Sequence, residues 1–240
     1  MTPEQLKRIH AFWAEAYGFD ATALDHPGFS LVTLEGLASP PRLVVLRTDR
    51  AAVVFVPPFL ASRLRASLAP FEGQVVTASD VQAALGDVPT TPGNADFILY
   101  HDDTRSPAQD DPRIRRLQQE DASSLDDLNA AVSDLERDLG NVSMEHDVVL
   151  GYFEAGRLLG AASLIIEDDV ADVGVLTHPE ARGRSVGRAL VGALAAEGTR
   201  HGWLVQYTTM ERNVGSVKIA QATGFVPFAV EEALRVTESQ

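Results

Sequence analysis

The sequence predicts an α/β fold in two domains, and three observations carry that prediction. Short apolar runs alternate along the chain with segments whose apolar residues recur at i, i+3 and i+4, the periods of strand and helix. A polar stretch rich in aspartate and proline interrupts this alternation near the middle. Beyond it, the apolar run Val173–Leu176 leads through a basic, glycine-containing turn into a second helical pattern, Val186, Ala189, Leu190, Ala193 and Leu194. Strand, glycine turn and helix start in that order make an anion site, because the first N–H groups of a helix lack intrahelical partners and carry partial positive charge.

Composition narrows the class. A chain of 240 residues with 45% hydrophobic and 22% charged residues reads as a soluble globular protein of one large or two small domains. No apolar run approaches the length of a membrane span. The start, Met1-Thr2-Pro3-Glu4, lacks the basic and apolar regions of a signal peptide, so cytoplasmic residence is expected. With no cysteine there are no disulfides, zinc–thiolate sites or cysteine nucleophile. The net charge of −14 argues against a nucleic-acid partner and favours a cationic one, such as an amine.

In chain order, residues 1–18 form a helix with Leu6, Ile9, Phe12, Trp13 and Tyr17 on one stripe, read as a packing face. A loop with a short apolar stretch, Phe29–Leu34, spans Asp20 to Pro41. Leu43–Leu46 and Ala52–Val56 are strands around Thr48-Asp49-Arg50, and Pro57-Pro58 ends the second. Phe59–Leu68 and Ser79–Leu85 are short helices, the latter with Ser79 or Asp80 as N-cap, and Phe97–Tyr100 is a strand. This gives a domain over residues 1–101. Asp102–Pro112, with four aspartates and two prolines, buries little and reads as the linker.

Residues 113–240 form the second domain. Ile114–Leu117 is its first strand, and Ala122–Leu139 covers two short helices. Val148–Phe153 and Leu158–Ile166 make a hairpin about Glu154-Ala155-Gly156-Arg157. Val170–Thr177 is the central strand, Ser185–His201 the helix after the basic turn, Trp203–Thr208 a strand and Val214–Thr223 a helix. Phe225–Val230 is a last strand, paired with Ala233–Val236.

The basic turn reads Arg182, Gly183, Arg184, Ser185, Val186, Gly187, then Arg188. It resembles the pyrophosphate loop, Q/R-x-x-G-x-G/A, of the GNAT superfamily of acyl-CoA-dependent N-acyltransferases. The resemblance extends downstream through Asn213, Ser216 and Gly224-Phe225, spaced like that family's N-x-x-S segment and closing G-F, and covers just over half the chain. It implies a GNAT fold for residues 113–240: a mixed, twisted sheet with helices on both faces. The first half, in its order of helices and strands, is compatible with a degenerate copy that lacks the phosphate turn, and is expected to be non-catalytic.

The resemblance also implies a chemistry. Acetyl-CoA is the cosubstrate, with no metal. Its pyrophosphate sits on Arg182–Arg188, and its pantetheine pairs with the backbone of Val175, Leu176 and Thr177, where the strand parts from its neighbour. Asn213 and Ser216 lie near the pantetheine, and Asn213 suits a helix N-cap equally well. Two departures stand out. Ser185 occupies a glycine position and bears a cost for positive φ unless its hydroxyl caps the helix or meets a phosphate. Ala220 stands where many members have the tyrosine that protonates the thiolate. The base candidates are Asp172 and Glu145 first, then His146, Glu167 and Asp168; a carboxylate needs a raised pKa for the task. His178 reads as structural. The expected activity is acetyl transfer to a small-molecule or peptide amine by direct attack in a ternary complex. The alternative is an inactive acyl-CoA-binding or assembly module. Neither nucleic acid nor membrane is an expected partner, and the final strands could join two subunits as a homodimer.

Overall fold

A computed structural model describes residues 1–104 and 110–237. The middle of the expected linker, residues 105–109, lies outside them. Among the described residues, helices α1 (Pro3–Tyr17), α2 (Pro58–Leu68), α3 (Ala78–Leu85), α4 (Ala122–Ala131), α5 (Asp134–Gly140), α6 (Val186–His201) and α7 (Val214–Ala222) are interspersed with ten strands. These are β1 (Gly28–Thr33), β2 (Arg42–Arg47), β3 (Ala51–Val56), β4 (Thr90–His101), β5 (Ile114–Arg116), β6 (Val148–Glu154), β7 (Arg157–Glu167), β8 (Val170–Thr177), β9 (Leu204–Met210) and β10 (Phe225–Val236). Among the described residues no helix is long and apolar enough to cross a membrane.

The chain divides into two compact units that are discontinuous in sequence. One gathers Met1–Thr2, Leu99–Thr208 and Asn213–Val226; the other gathers Pro3–Ile98, Thr209–Arg212 and the chain from Pro227 on.

In the second unit the strand order is β1-β3-β2-β10-β4. β1 runs parallel to β3, whereas β2–β3 and β2–β10 are antiparallel. β3 is buried along its whole length, as expected of an all-apolar AAVVFV strand covered on both faces. α2 and α3 supply Leu60, Leu64, Leu68, Val81 and Leu85 to its core. In α1 the buried face is Gln5, Ile9, His10, Trp13 and Ala14. Leu6 faces out, so the stripe read from apolar residues alone is rotated toward His10, whose Nδ1 meets Asp25 at 2.9 Å.

Two expectations need correction here. The N-cap of α3 is Thr77, whose hydroxyl accepts from the Asp80 N–H while the Asp80 carboxylate takes the Thr77 N–H; Asp80 is the far partner of a capping box, and Ser79 lies inside the helix. The two final strands are one, β10, and are not paired with each other. Glu231 and Glu232 offer no turn chemistry, and Val230–Arg235 pairs with β2 instead. Arg47 donates to Glu232 at 3.2 Å across that pair.

The first unit holds the strand order β9-β8-β7-β6-β5. Its pairings are antiparallel except for parallel β8–β9, so the sheet is mixed. The β6–β7 hairpin turns on Ala155 and Gly156, both at positive φ (48° and 79°), as a two-residue turn of primed type requires. α4 and the segment after α5 pack Leu125, Leu128, Val132 and Val142 on β6, β7 and β8, with Leu176 in the same cluster. α6 packs across β7 and β8, with Val186, Leu190, Val191 and Leu194 buried.

Candidate active site: a parted strand pair and a helix start

β8 follows β7 over its full length, from Glu167↔Val170 to Gly160↔Thr177. Its pairing with β9 stops early: only Val170, Ala171 and Asp172 have partners, namely Leu204, Val205 and Gln206. From Val173 to Thr177 the β9 side of β8 has no strand ladder. Such an edge can hydrogen-bond an extended ligand in place of a strand. Val175, Leu176 and Thr177 all lie on it. The Leu176 side chain is core, as its place in the apolar cluster shows, while Val175 and Thr177 are half-buried toward α6.

The turn that follows is built around two left-handed residues. Gly183 has φ +75°, and a Cβ there would meet nothing within 4 Å, so the backbone is open to an approaching group. Ser185 has φ +63° and makes no side-chain cap bond. The expected cost of serine in this conformation is therefore real and uncompensated by capping; strain of this kind persists where the surroundings impose it. The first intrahelical bond of α6 runs from the Ala189 N–H to the Ser185 carbonyl at 3.0 Å. The N–H groups of Val186, Gly187 and Arg188 come before it and point along the helix start. Gly187 is needed for space: a Cβ would lie 3.0 Å from Ile219 Cδ1 and 3.2 Å from Thr177 Oγ1. This residue brings β8, α6 and α7 together.

The three arginines are held differently. Arg182 pairs with Glu136 of α5 at 2.7 Å, and Arg184 pairs with Glu154 at the end of β6. Both pairs are largely solvated and thus weak, so a phosphate can take either guanidinium from its carboxylate. Arg188, exposed, makes no ion pair among the described residues. A cavity of about 650 Å³ opens beside the turn, lined among others by Arg113, Tyr152, Arg184, Ser185, Arg188 and Thr223. Arg113 lies over the Tyr152 ring, 4.8 Å from its centroid, and pairs with Asp111 at 2.8 Å. Nothing in the spacing of Arg113 and Tyr152 flags them in the sequence.

The model of the Acetyltransferase (GNAT) family matches residues 111–225. Residues 111–225 are a GNAT-family domain. The GNAT acetyltransferase from Colwellia psychrerythraea is similar in structure at 19% identity, covering 77% of this chain and 76% of its own, with a TM-score of 0.55. A GCN5-related N-acetyltransferase from Sphaerobacter thermophilus is similar at 14% identity over 81% of this chain and 76% of its own, with a TM-score of 0.53. No curated protein matches the chain in sequence. Among the described residues, no group of three or more histidines and acids could hold a metal ion.

Within the GNAT domain, Asp172 is the last β8 residue paired with β9 and stands where the two strands begin to part. Burial pushes its carboxyl up to about 6, against the pull of the Gln206 amide and the Val173 N–H. Gln206 Nε2 donates to Asp172 Oδ1 at 3.3 Å, and Tyr100 donates in turn to Gln206 Oε1. Asp172 thus has the raised pKa that a base near neutral pH requires.

The other base candidates are placed differently. Glu145 is exposed in the loop before β6, its N–H bonded to Ser143 Oγ. His146 turns inward, Nδ1 2.8 Å from the buried Ser163 Oγ, and burial lowers its pKa. Glu167 ends β7 and Asp168 lies in the β7–β8 turn, roughly 20 Å of strand away from Thr177. His178 caps the short turn Pro179–Ala181 by accepting the Glu180 N–H at 3.2 Å, a structural role.

Asn213 caps α7, its Oδ1 accepting from the Ser216 N–H at 3.2 Å. The Ser216 hydroxyl faces the Tyr207 hydroxyl at 2.8 Å. Sequence reasoning misses Tyr207 as a site residue. The available signal was strand alternation, which sets Tyr207 and Gln206 on opposite faces of β9.

Proposed function

We propose that this protein is an acyl-CoA-dependent N-acyltransferase that moves an acetyl group from acetyl-CoA to an amine. The observation that carries the reading is the departure of β9 from β8 after Asp172, directly ahead of the phosphate-type turn. One end of that edge offers helix N–H groups and arginines to a diphosphate; the other offers a carboxyl with a raised pKa.

In this reading, the N–H groups of Val186, Gly187 and Arg188, with the side chains of Arg184 and Arg188, hold the pyrophosphate; Arg182 and the open backbone at Gly183 flank it. The backbone of Val175, Leu176 and Thr177 pairs with pantetheine and orients the thioester. Asp172 takes a proton from the acceptor ammonium and passes it to solvent, and after the attack it takes the second proton that the nitrogen must lose to become an amide. The amine nitrogen attacks the thioester carbon, the C–S bond breaks, and the thiolate leaves with a proton. With no cysteine in the chain, direct attack replaces a cysteinyl acyl-enzyme. A cationic amine, small molecule or peptide, suits a protein of net charge −14.

Two measurements test this. CoA and acetyl-CoA should raise the melting temperature at millimolar concentration. Thiol release from acetyl-CoA should be stimulated by at least one amine in a panel of polyamines, aminoglycosides, amino acids and peptide N-termini. No shift with either ligand removes the reading. Saturable CoA binding without turnover for any amine reduces it to a binding module.

A further inference from the structure

The acyl-transfer reading leaves the thiolate in need of a proton, and Asp172 is committed to the amine. Tyr207 follows Gln206, the last β9 residue paired with β8, so its backbone lies at the start of the gap between the strands. Gln206 reaches Asp172; alternation therefore puts Tyr207 on the opposite face of the sheet. That face is covered by α7, whose Ser216 Oγ lies 2.8 Å from Tyr207 Oη. One turn along the same helix face, Ile219 reaches the space beside Gly187 and Thr177, which places this face of α7 against the start of α6 and the free end of β8. Tyr207 is only 2% exposed, whereas Ser216 is half-buried. The route outward from the phenol therefore passes through the serine hydroxyl. Ala220, one turn beyond Ser216, is fully buried and carries no proton.

We propose that Ser216 protonates the departing thiolate while Tyr207 reprotonates Ser216, so that proton uptake and proton delivery occur on opposite faces of the sheet across the β8–β9 gap. This rests on the acyl-transfer reading above. As the C–S bond breaks, its electron pair goes to sulfur. The Ser216 O–H proton passes to sulfur, the Tyr207 O–H proton passes to Ser216 Oγ, and water returns a proton to the phenolate. Asp172 passes both nitrogen protons to solvent in turn, one from the ammonium and one after the attack, so thioester plus ammonium gives amide, thiol and one released proton. Burial holds the Tyr207 pKa above its ordinary value; the Ser216 hydrogen bond opposes this and the Asp172 charge adds to it. The phenol thus stays protonated at neutral pH, as a proton store requires. Ser216 is the group that would touch substrate; Tyr207 acts through it.

The test uses the full chain with Tyr207→Phe, Ser216→Ala and Ser216→Thr, following thiol release with the most active amine and CoA-induced stabilisation in parallel. Ser216→Ala keeps the backbone N–H that Asn213 caps. The expected result is a loss in kcat of about 10²-fold in Tyr207→Phe and Ser216→Ala, the lower end for a general acid. KM for acetyl-CoA and the CoA-induced thermal shift should stay unchanged, Ser216→Thr should restore most of the rate, and imidazolium buffer added at constant pH should partly rescue Ser216→Ala. Wild-type kcat in both Tyr207→Phe and Ser216→Ala overturns the proposal. So does a kcat loss matched by loss of CoA binding, which would make the pair structural. Wild-type protein that binds CoA but turns over no amine overturns the acyl-transfer reading, and this proposal with it.

Discussion

Asp172 sits between two opposing influences, and their balance sets its chemistry. Water is largely excluded, which favours the neutral acid, while the Gln206 amide and the Val173 N–H favour the carboxylate. Burial wins, and the group titrates at about 6 in place of the ordinary 3.8. A base works only when deprotonated, so kcat/KM should rise from pH 5 to a plateau above pH 7 with a midpoint of about 6. In Asp172→Asn this limb should disappear and the rate should fall by about 10²–10⁴-fold. The same shift has a stability consequence of definite sign. Between 3.8 and about 6 the native state binds more protons than the unfolded state, so stability falls as pH rises through that window. Above it the half-buried carboxylate costs on the order of 3 kcal/mol. Asp172→Asn, which keeps an acceptor for Gln206, should therefore melt higher than wild type at pH 8, and the advantage should vanish below pH 4. An unchanged melting difference across that range would mean Asp172 is not desolvated.

The element that shapes this edge from the other face is α5. Its last turn ends at Gly140, and Asn141 takes the left-handed conformation at φ 42°. The carbonyls of Gly140 and Asn141 press on β8: a Cβ at Gly174 would lie 2.5 Å and 2.3 Å from these oxygens. The fit is mutual, since a Cβ at Gly140 would lie 2.3 Å from Leu176 Cδ2. Both obstacles at Gly174 are backbone, which cannot rotate away as a side chain can. Gly174→Ala should thus destabilise the protein by about 1–3 kcal/mol, the range for overpacking. It should also depress acyl transfer through displaced β8 more than through lost CoA binding at the turn; chemical denaturation and CoA titration of the same variant separate the two. At this scale the sequence was legible wherever residue type and spacing carry the structure. The basic turn, the hairpin at Ala155-Gly156 and the Asn213 cap could all be read from it. The parting of β8 from β9 follows only from the family resemblance, because nothing in Val173–Thr177 itself distinguishes a paired apolar strand from an unpaired one. The Tyr207–Ser216 contact joins two elements nine residues apart, and only packing reveals it. β4 extends back to Thr90 through Asn94 and Asp96, polar residues that give no strand period. β10 continues through Glu231 and Glu232, whose charges break an apolar pattern without breaking the strand.

At the scale of the whole molecule, the chain does not fold as a front half followed by a back half. It passes from one compact unit to the other after Thr2, Ile98, Thr208, Arg212 and Val226. Cutting it at the polar stretch 102–112 therefore severs each unit from part of itself. A fragment of residues 113–240 lacks Leu99 and Tyr100, both buried, and with Tyr100 loses the hydroxyl that holds Gln206. It also carries β10 without β2, leaving the ladder Val230–Arg235 unpaired and the buried Leu234 exposed. A fragment of residues 1–112 keeps β2 but presents its free edge, beside a core that has lost Leu234. An exposed apolar strand edge is an aggregation site. Each fragment expressed alone should be insoluble or should lack a cooperative melting transition. Coexpression should recover a soluble heterodimer, because both partners of each broken ladder are then present. If residues 113–240 alone melt cooperatively and bind CoA as tightly as the full chain, the first 112 residues are an appendage to the GNAT domain. If only the pair does so, the residues before 113, Tyr100 with its hold on Gln206 among them, are part of what keeps the β8–β9 edge in shape.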